Sequence, residues 1–201
     1  MPFISSSTIS QHQPVFHVFR AVSAHAGTSS VIKKMAKKLK QQGKRVLIFD
    51  AALGLKNFPI ANKNQNKIPL VFQGQLPLND LIVTQEQVDI IAGSAGQNLN
   101  ALPRVAQNKI KDDLITLSTS YDDILIDWPA CVIDSVCDGL GSTIWVSTPD
   151  KKILLKTLKT IDPHTNSQLV LTQIKNTQQR NDLHLFIKSL VPECKIIEFF
   201  E

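Results

Sequence analysis

Residues 45–50, Arg45-Val46-Leu47-Ile48-Phe49-Asp50, form a continuous apolar run that closes on an acid. A strand with one wet face would alternate apolar and polar residues. This run does not alternate, so it suits a strand buried on both faces, as in a parallel sheet. Upstream, Val15-Phe16-His17-Val18-Phe19 opens the folded region with a similar β-branched and aromatic stretch. A turn of small residues separates the two, Ser23-Ala24-His25-Ala26-Gly27-Thr28-Ser29-Ser30. After it, Val31, Ile32, Met35, Ala36 and Leu39 recur at helical spacing, with lysines on the opposite face. Gly43 stands where a helix C-terminus takes a residue tolerant of positive φ. Strand, turn, helix and strand make one βαβ unit.

The alternation continues to the end of the chain. Strands are predicted at Val88–Ala92, Asp123–Asp127, Thr143–Ser147, Leu169–Ile174 and Lys195–Phe200. Helices are predicted within Leu99–Leu117 (Pro103 near its start, where proline is tolerated), around Ile153–Leu158 and at 181–190. Gly93-Ser94-Ala95-Gly96 is a turn, and 56–68, with Asn57, Asn62, Asn64 and Asn66, is a polar surface loop. The expected fold class is α/β, a mostly parallel sheet with helices on both faces. Residues 1–14, rich in Ser, Thr and Gln, read as a flexible leader, and 15–201 as one domain.

At 201 residues the chain is long enough for one sizeable core. Apolar residues at 43% and charged residues at 19% exclude a disordered chain. Cys131, Cys137 and Cys194 are odd in number and contain no C-x-x-C pair, which argues against a disulfide framework or a zinc site. Buried thiols in a reducing cytoplasm are the simpler expectation. No apolar run approaches the roughly 20 residues that span a bilayer, and the N-terminus lacks the pattern of a signal peptide. A net charge of +5 permits contact with DNA, anionic lipid or an acidic protein without requiring any of them.

In such a sheet, ligands bind outside the carboxyl ends of the strands. The segments there carry a resemblance. Val46-Leu47-Ile48-Phe49-Asp50-Ala51-Ala52-Leu53-Gly54-Leu55-Lys56-Asn57 is similar to a strand ending in Asp-Ala-Asp-Leu-Gly-Leu-Ala-Asn. Leu78-Asn79-Asp80-Leu81 followed by Gly93-Ser94-Ala95-Gly96, Tyr121 to Ala130 as a Walker B strand, and Thr143 to Pro149 fit the same pattern in order and spacing. Together they resemble the MinD/ParA family of deviant P-loop ATPases, and within it the FlhG (FleN) flagellar-number regulators. The likeness runs from about Val18 to Ile174. It implies a P-loop NTPase-like fold that is truncated at the C-terminus, because full-length relatives continue past the point matching Glu201. The part they add includes an amphipathic membrane helix.

The resemblance also implies a degenerate nucleotide site. A working P-loop cradles phosphates with glycine amides, neutralises them with lysine and holds magnesium through a Ser or Thr hydroxyl. Alignment on Met35-Ala36 puts Gly27 on the last loop glycine, Thr28 on the phosphate lysine and Ser29 on the magnesium hydroxyl. It puts Ser23 on the family's signature lysine, while Ala24 and His25 replace glycines. The second acid of the family's Asp-x-Asp pair, which orients the attacking water, is Ala52. Asp50 and Asp127 match the first acid and the Walker B acid. The vestigial site is thus Gly27, Thr28, Ser29, Ser30, Asp50 and Asp127, with Ser29 and Asp127 as metal contacts if magnesium nucleotide still binds. His25 is the one cation candidate inside the turn. Lys33 and Lys34 lie more than a helical turn beyond Thr28 and should point away.

Lys33, Lys34, Lys37, Lys38 and Lys40 concentrate positive charge on one helix. They form either a solvated face or a footprint for DNA, lipid or an acidic protein. No aromatic residues interleave with them as a stacking platform. The expected function is that of a non-catalytic relative, without bound cofactor, that binds proteins in positioning a bacterial organelle such as the flagellum. Its partner would be an active MinD/FlhG-type paralogue or a polar organelle component, reached from the cytoplasm without a membrane helix. The rivals are a weak Mg-ATP-binding switch and a non-specific DNA binder using helix 31–45.

Overall fold

The computed structural model describes residues 14–51, 67, 70–71, 73–92, 103–128, 136–137, 139–162 and 165–199. The strands are β1 Val15–Arg20, β2 Val46–Asp50, β3 Ile82–Gln85, β4 Val88–Ile91, β5 Asp123–Asp127, β6 Ser142–Ser147, β7 Ser167–Leu171 and β8 Lys195–Phe199. The α-helices among the described residues are α1 Thr28–Gln41, α2 Arg104–Ser118, α3 Lys151–Thr160 and α4 Thr177–Leu190. All eight strands form one sheet in the order β3-β4-β2-β5-β1-β6-β7-β8. Every neighbouring pair is parallel except β3 and β4. The predicted α/β class is therefore the observed one.

β2 and β5 are buried along their whole length, as expected of central strands covered on both sides. The alternating side chains split the core by face. Phe19, Ile48, Leu125, Ile144 and Val146 pack under α1 through Val31, Ile32, Ala36 and Leu39. On the other face, Val18, Phe49, Ile124 and Ile126 pack against Ile110 and Leu114 of α2. Trp145, Leu169 and Leu171 of that same face pack against Leu154 and Leu158 of α3 and Leu183 and Ile187 of α4. Among the described residues, α1 thus covers the first face and α2, α3 and α4 cover the second.

The structure moves several predicted boundaries. α1 begins at Thr28, inside the small-residue turn, because Gly27 at φ 87° lets the chain enter the helix directly. Gly43 takes φ 80° just past that helix, as its position predicted. β7 ends at Leu171 and not at Ile174. β3 was not foreseen: Ile82 and Val83 lie on an antiparallel edge strand paired with Ile91 and Ile90. Its hairpin turns at Glu86 and Gln87, both with positive φ (49° and 64°). That geometry matches a two-residue hairpin turn normally marked by Asn-Gly, and Glu-Gln carries no such mark. The leader, the 56–66 part of the polar loop, the 93–96 turn, Ala52 and Cys131 lie outside the described residues.

At the amino ends of the strands, buried Asp123 is held from two sides. His17 Nε2 lies 2.9 Å from one of its oxygens, and Lys44 Nζ donates to the other at 2.9 Å. Just before β6, Gly141 passes so close to β1 that a Cβ would meet the Phe16 carbonyl oxygen and come within 2.8 Å of Phe16 Cβ. Backbone cannot yield as a flexible side chain would. Gly141→Ala is therefore expected to destabilise the fold by about 1–3 kcal/mol, the usual cost of overpacking. Urea unfolding checks this, and an unchanged midpoint would contradict it.

Candidate functional site

The carboxyl ends of the parallel strands converge around the turn between β1 and α1. Asp50 and Asp127 are the last residues of β2 and β5 and are register partners in the ladder. Both are buried, and both fall on the α1 face by strand alternation. Ser29, the second residue of α1, donates from Oγ to Asp127 Oδ2 at 2.7 Å. Three residues far apart in sequence, Ser29, Asp50 and Asp127, are thus brought to one place. Burial raises the Asp127 carboxyl above its ordinary range, and the Ser29 hydrogen bond pulls it partly back.

The rest of the turn is held by its carbonyls. Thr172, just beyond β7, donates from Oγ1 to Ala26 O at 2.7 Å and to Ser147 O at 3.3 Å. Its amide donates to Ser147 O as well, at 2.9 Å. Gln173 donates from Nε2 to His25 O at 3.2 Å. His25 itself is exposed and sits at φ 62°, a conformation that favours glycine. A Cβ on Gly27 would touch Thr172 Cγ2 at 3.4 Å. Thr172 and Gln173 are site residues that sequence reading missed, because they look like the continuation of an apolar strand.

No lysine or arginine occurs between Ser23 and Ser30. Lys33 and Lys34 do not fill the gap, since both line grooves on the flanks of α1. Arg20, at the end of β1, is a nearby cation that sequence reading passed over. It lies over the Trp145 ring, 6.0 Å from the centroid, on the face opposite Ser29 and Asp127. Three buried polar atoms at this same edge have no hydrogen-bond partner: Ser23 Oγ, Trp128 Nε1 and Thr148 Oγ1. Such orphans are scarce in folded proteins and mark places that call for explanation. Cys137 and Cys194 are buried thiols. Burial pushes the Cys137 thiol up to about 12, against the pull of Arg20 and Lys111, which favours the thiol over the thiolate.

Measured against a magnesium nucleotide, these residues fit only in part. A hydroxyl beside two carboxylates is a donor set that suits magnesium. Polyphosphate, however, would meet two buried acids with no permanent cation in the turn, which is unfavourable in a poorly solvated site.

The architecture defines a class: an eight-stranded, mostly parallel sheet with helices on both faces, matching the MinD/ParA P-loop NTPase fold. No family model matches the chain. Its sequence is 25% identical over 171 residues to the septum site-determining protein MinD of Bacillus subtilis, covering 77% of this chain and 63% of that protein. A MinD-type protein of Guillardia theta is 28% identical over 132 residues, covering 62% of this chain and 49% of that one. The chain therefore spans between half and two thirds of the curated relatives it matches. Among solved structures, the MinC:MinD cell division complex of Aquifex aeolicus superposes at a TM-score of 0.68 and 18% identity, covering 92% of this chain and 80% of that one. Cobyrinic acid a,c-diamide synthase of Mycobacterium smegmatis, with bound ADP and magnesium, gives 0.67 at 15% identity, covering 88% and 81%. Fold and sequence similarity alike support the MinD/ParA type of P-loop ATPase.

Two outcomes follow from the site. A carboxyl whose folded pKa is raised contributes stability that is full below its unfolded value and is lost as pH rises through the folded one. Asp127→Asn should therefore melt higher than the wild type at about pH 7.5, the gap closing toward about pH 3.5, near the ordinary carboxylate range. Scanning calorimetry across that range checks the sign. Thr172→Val keeps the shape but strips Ala26 O of its donor. It should cost about 1–3 kcal/mol and speed amide exchange through residues 24–29, whereas unchanged exchange would mean the turn is held elsewhere.

Proposed function

We propose that this chain is a non-catalytic MinD/FlhG-like pseudo-ATPase that acts by binding other proteins. The observation that carries the reading is the β1–α1 turn. It faces two buried carboxylates, Asp50 and Asp127, and carries no lysine or arginine from Ser23 to Ser30. Loss of one electrostatic stabiliser typically lowers a rate by about 10²–10³, and here Thr28 and Ser23 stand where the resemblance puts two lysines. Ala52 in place of the water-orienting acid adds a third loss. The turn is also tied by Thr172 and Gln173 to the end of β7.

The setting follows from the relatives. One solved structure of this fold is a MinC:MinD cell division complex, and the curated relatives are septum site-determining proteins. That similarity supports reading the present chain as a regulator of spatial organisation that works in the cytoplasm or at the pole through a protein partner. The FlhG-like features of its sequence favour an organelle such as the flagellum, with an active paralogue or an organelle component as partner.

One observation favours a second reading, a weak ATP-binding switch. The Ser29–Asp127 pair, with Asp50 alongside, retains a magnesium-type donor set, and Ser23 Oγ and Thr148 Oγ1 are buried without partners at the same edge. Calorimetric titration with ATP and ADP in magnesium separates the two. The pseudo-ATPase reading expects no heat and no melting shift at millimolar nucleotide. Micromolar binding that disappears in Asp127→Ala would replace it with the switch.

A further inference from the structure

We propose that the groove between α1 and strands β2 and β4 is a docking site for an acidic amphipathic helix of a protein partner. Eight strands spaced about 4.8 Å apart make a sheet roughly 34 Å wide, and a single helix covers about 10 Å of it. Three helices dress one face, but among the described residues only α1 lies on the other. Two grooves flank it. The first, of about 530 Å³, has Ile48, Val88 and Ile90 as its apolar floor. Ala36 and a row of Lys33, Lys37 and Lys40 form its wall, and Lys34 borders it as well. The second, of about 490 Å³, lies on the opposite flank and is bordered by Lys34 and Lys38 over Phe19, Ile144 and Val170.

Shape and charge together select the occupant. The lysine row runs at steps of four and three along α1, so it follows one side of a helix for two turns. No acid occurs anywhere in α1, and among the described residues Glu86 is the one acid lining the first groove. A second helix packed beside α1 at the usual 8–10 Å would place its apolar face on Ile48, Val88 and Ile90. Glutamates or aspartates at matching steps would then meet the lysines. A DNA backbone or a flat anionic membrane could satisfy the lysines but would leave the recessed apolar floor uncovered. The first groove is preferred because its cations form a continuous row. This deepens the protein-binding reading by naming the partner's chemistry. It concerns the flank of α1, so nucleotide titration at the strand ends tests that reading separately.

The probe is a fluorescein-labelled helical peptide with leucines along one face and glutamates at four- and three-residue steps beside them. Fluorescence anisotropy at low salt should give saturable binding, with methyl NMR shifts at Ile48, Val88 and Ile90. Lys37→Glu should weaken the complex by at least about fivefold. Lys38→Glu, the same charge change on the other flank of the same helix, should alter it less than about twofold. Circular dichroism confirms that these exposed variants remain folded. Absence of binding, equal loss in both variants, or binding without methyl shifts would overturn the proposal. So would displacement of the peptide by random-sequence duplex DNA that itself binds more tightly.

Discussion

The parallel ladder of β1 between β5 and β6 is the constraint on which the rest of the molecule depends. Val15 through Phe19 pair in register with Asp123 through Asp127, and His17 through Arg20 pair with Ser142 through Trp145. Parallel pairing forces the connections between the parallel strands to cross over the sheet, so their carboxyl ends gather at one end and their amino ends at the other, with antiparallel β3 the exception. Asp50 and Asp127 therefore become neighbours although 77 positions separate them in the sequence. The same geometry sends the chain leaving β1 into α1 directly above them. That placement lets Ser29 meet Asp127.

The two ends of the sheet spend polar groups differently. At the amino end, Asp123 is buried and has a cation or imidazole on each oxygen. Breaking such a pair from one side is costly because the remaining charge stays buried. At the carboxyl end, Asp127 is buried with a hydroxyl for a partner, and nearby Ser23, Trp128 and Thr148 keep buried polar atoms without one. The amino end thus behaves as a structural clamp. The carboxyl end keeps the unfinished electrostatics typical of places that receive something from outside. Thr172 and Gln173 limit how far its turn can yield.

The unequal dressing of the two faces is a separate property. α2, α3 and α4 cover one side of the sheet over two apolar clusters, whereas among the described residues α1 stands as a ridge on the other with lysines along both flanks. A ridge beside an apolar floor is a different recognition element from a charged plane, because it combines burial with register. Charge sets the polarity of whatever binds, and the floor sets its shape.

The sequence by itself determined the α/β class and most strands, because buried parallel strands write themselves as unbroken apolar runs such as 46–49 and 124–126. It also determined the amphipathic character of α1 and the absence of lysine from the turn, since both are local facts of spacing and composition. It did not reveal β3, whose turn at Glu86 and Gln87 lacks the residues that normally announce positive φ. Nor did it reveal Thr172 and Gln173, since a hydrogen bond to Ala26 across 146 positions leaves no local trace. Only the tertiary structure decided that Arg20 points to the face opposite Ser29, and that a groove with an apolar floor runs beside the lysines. The physical reason is the same in each case. Periodicity records which side of an element is buried, whereas the identity of the neighbour depends on the order in which strands pair.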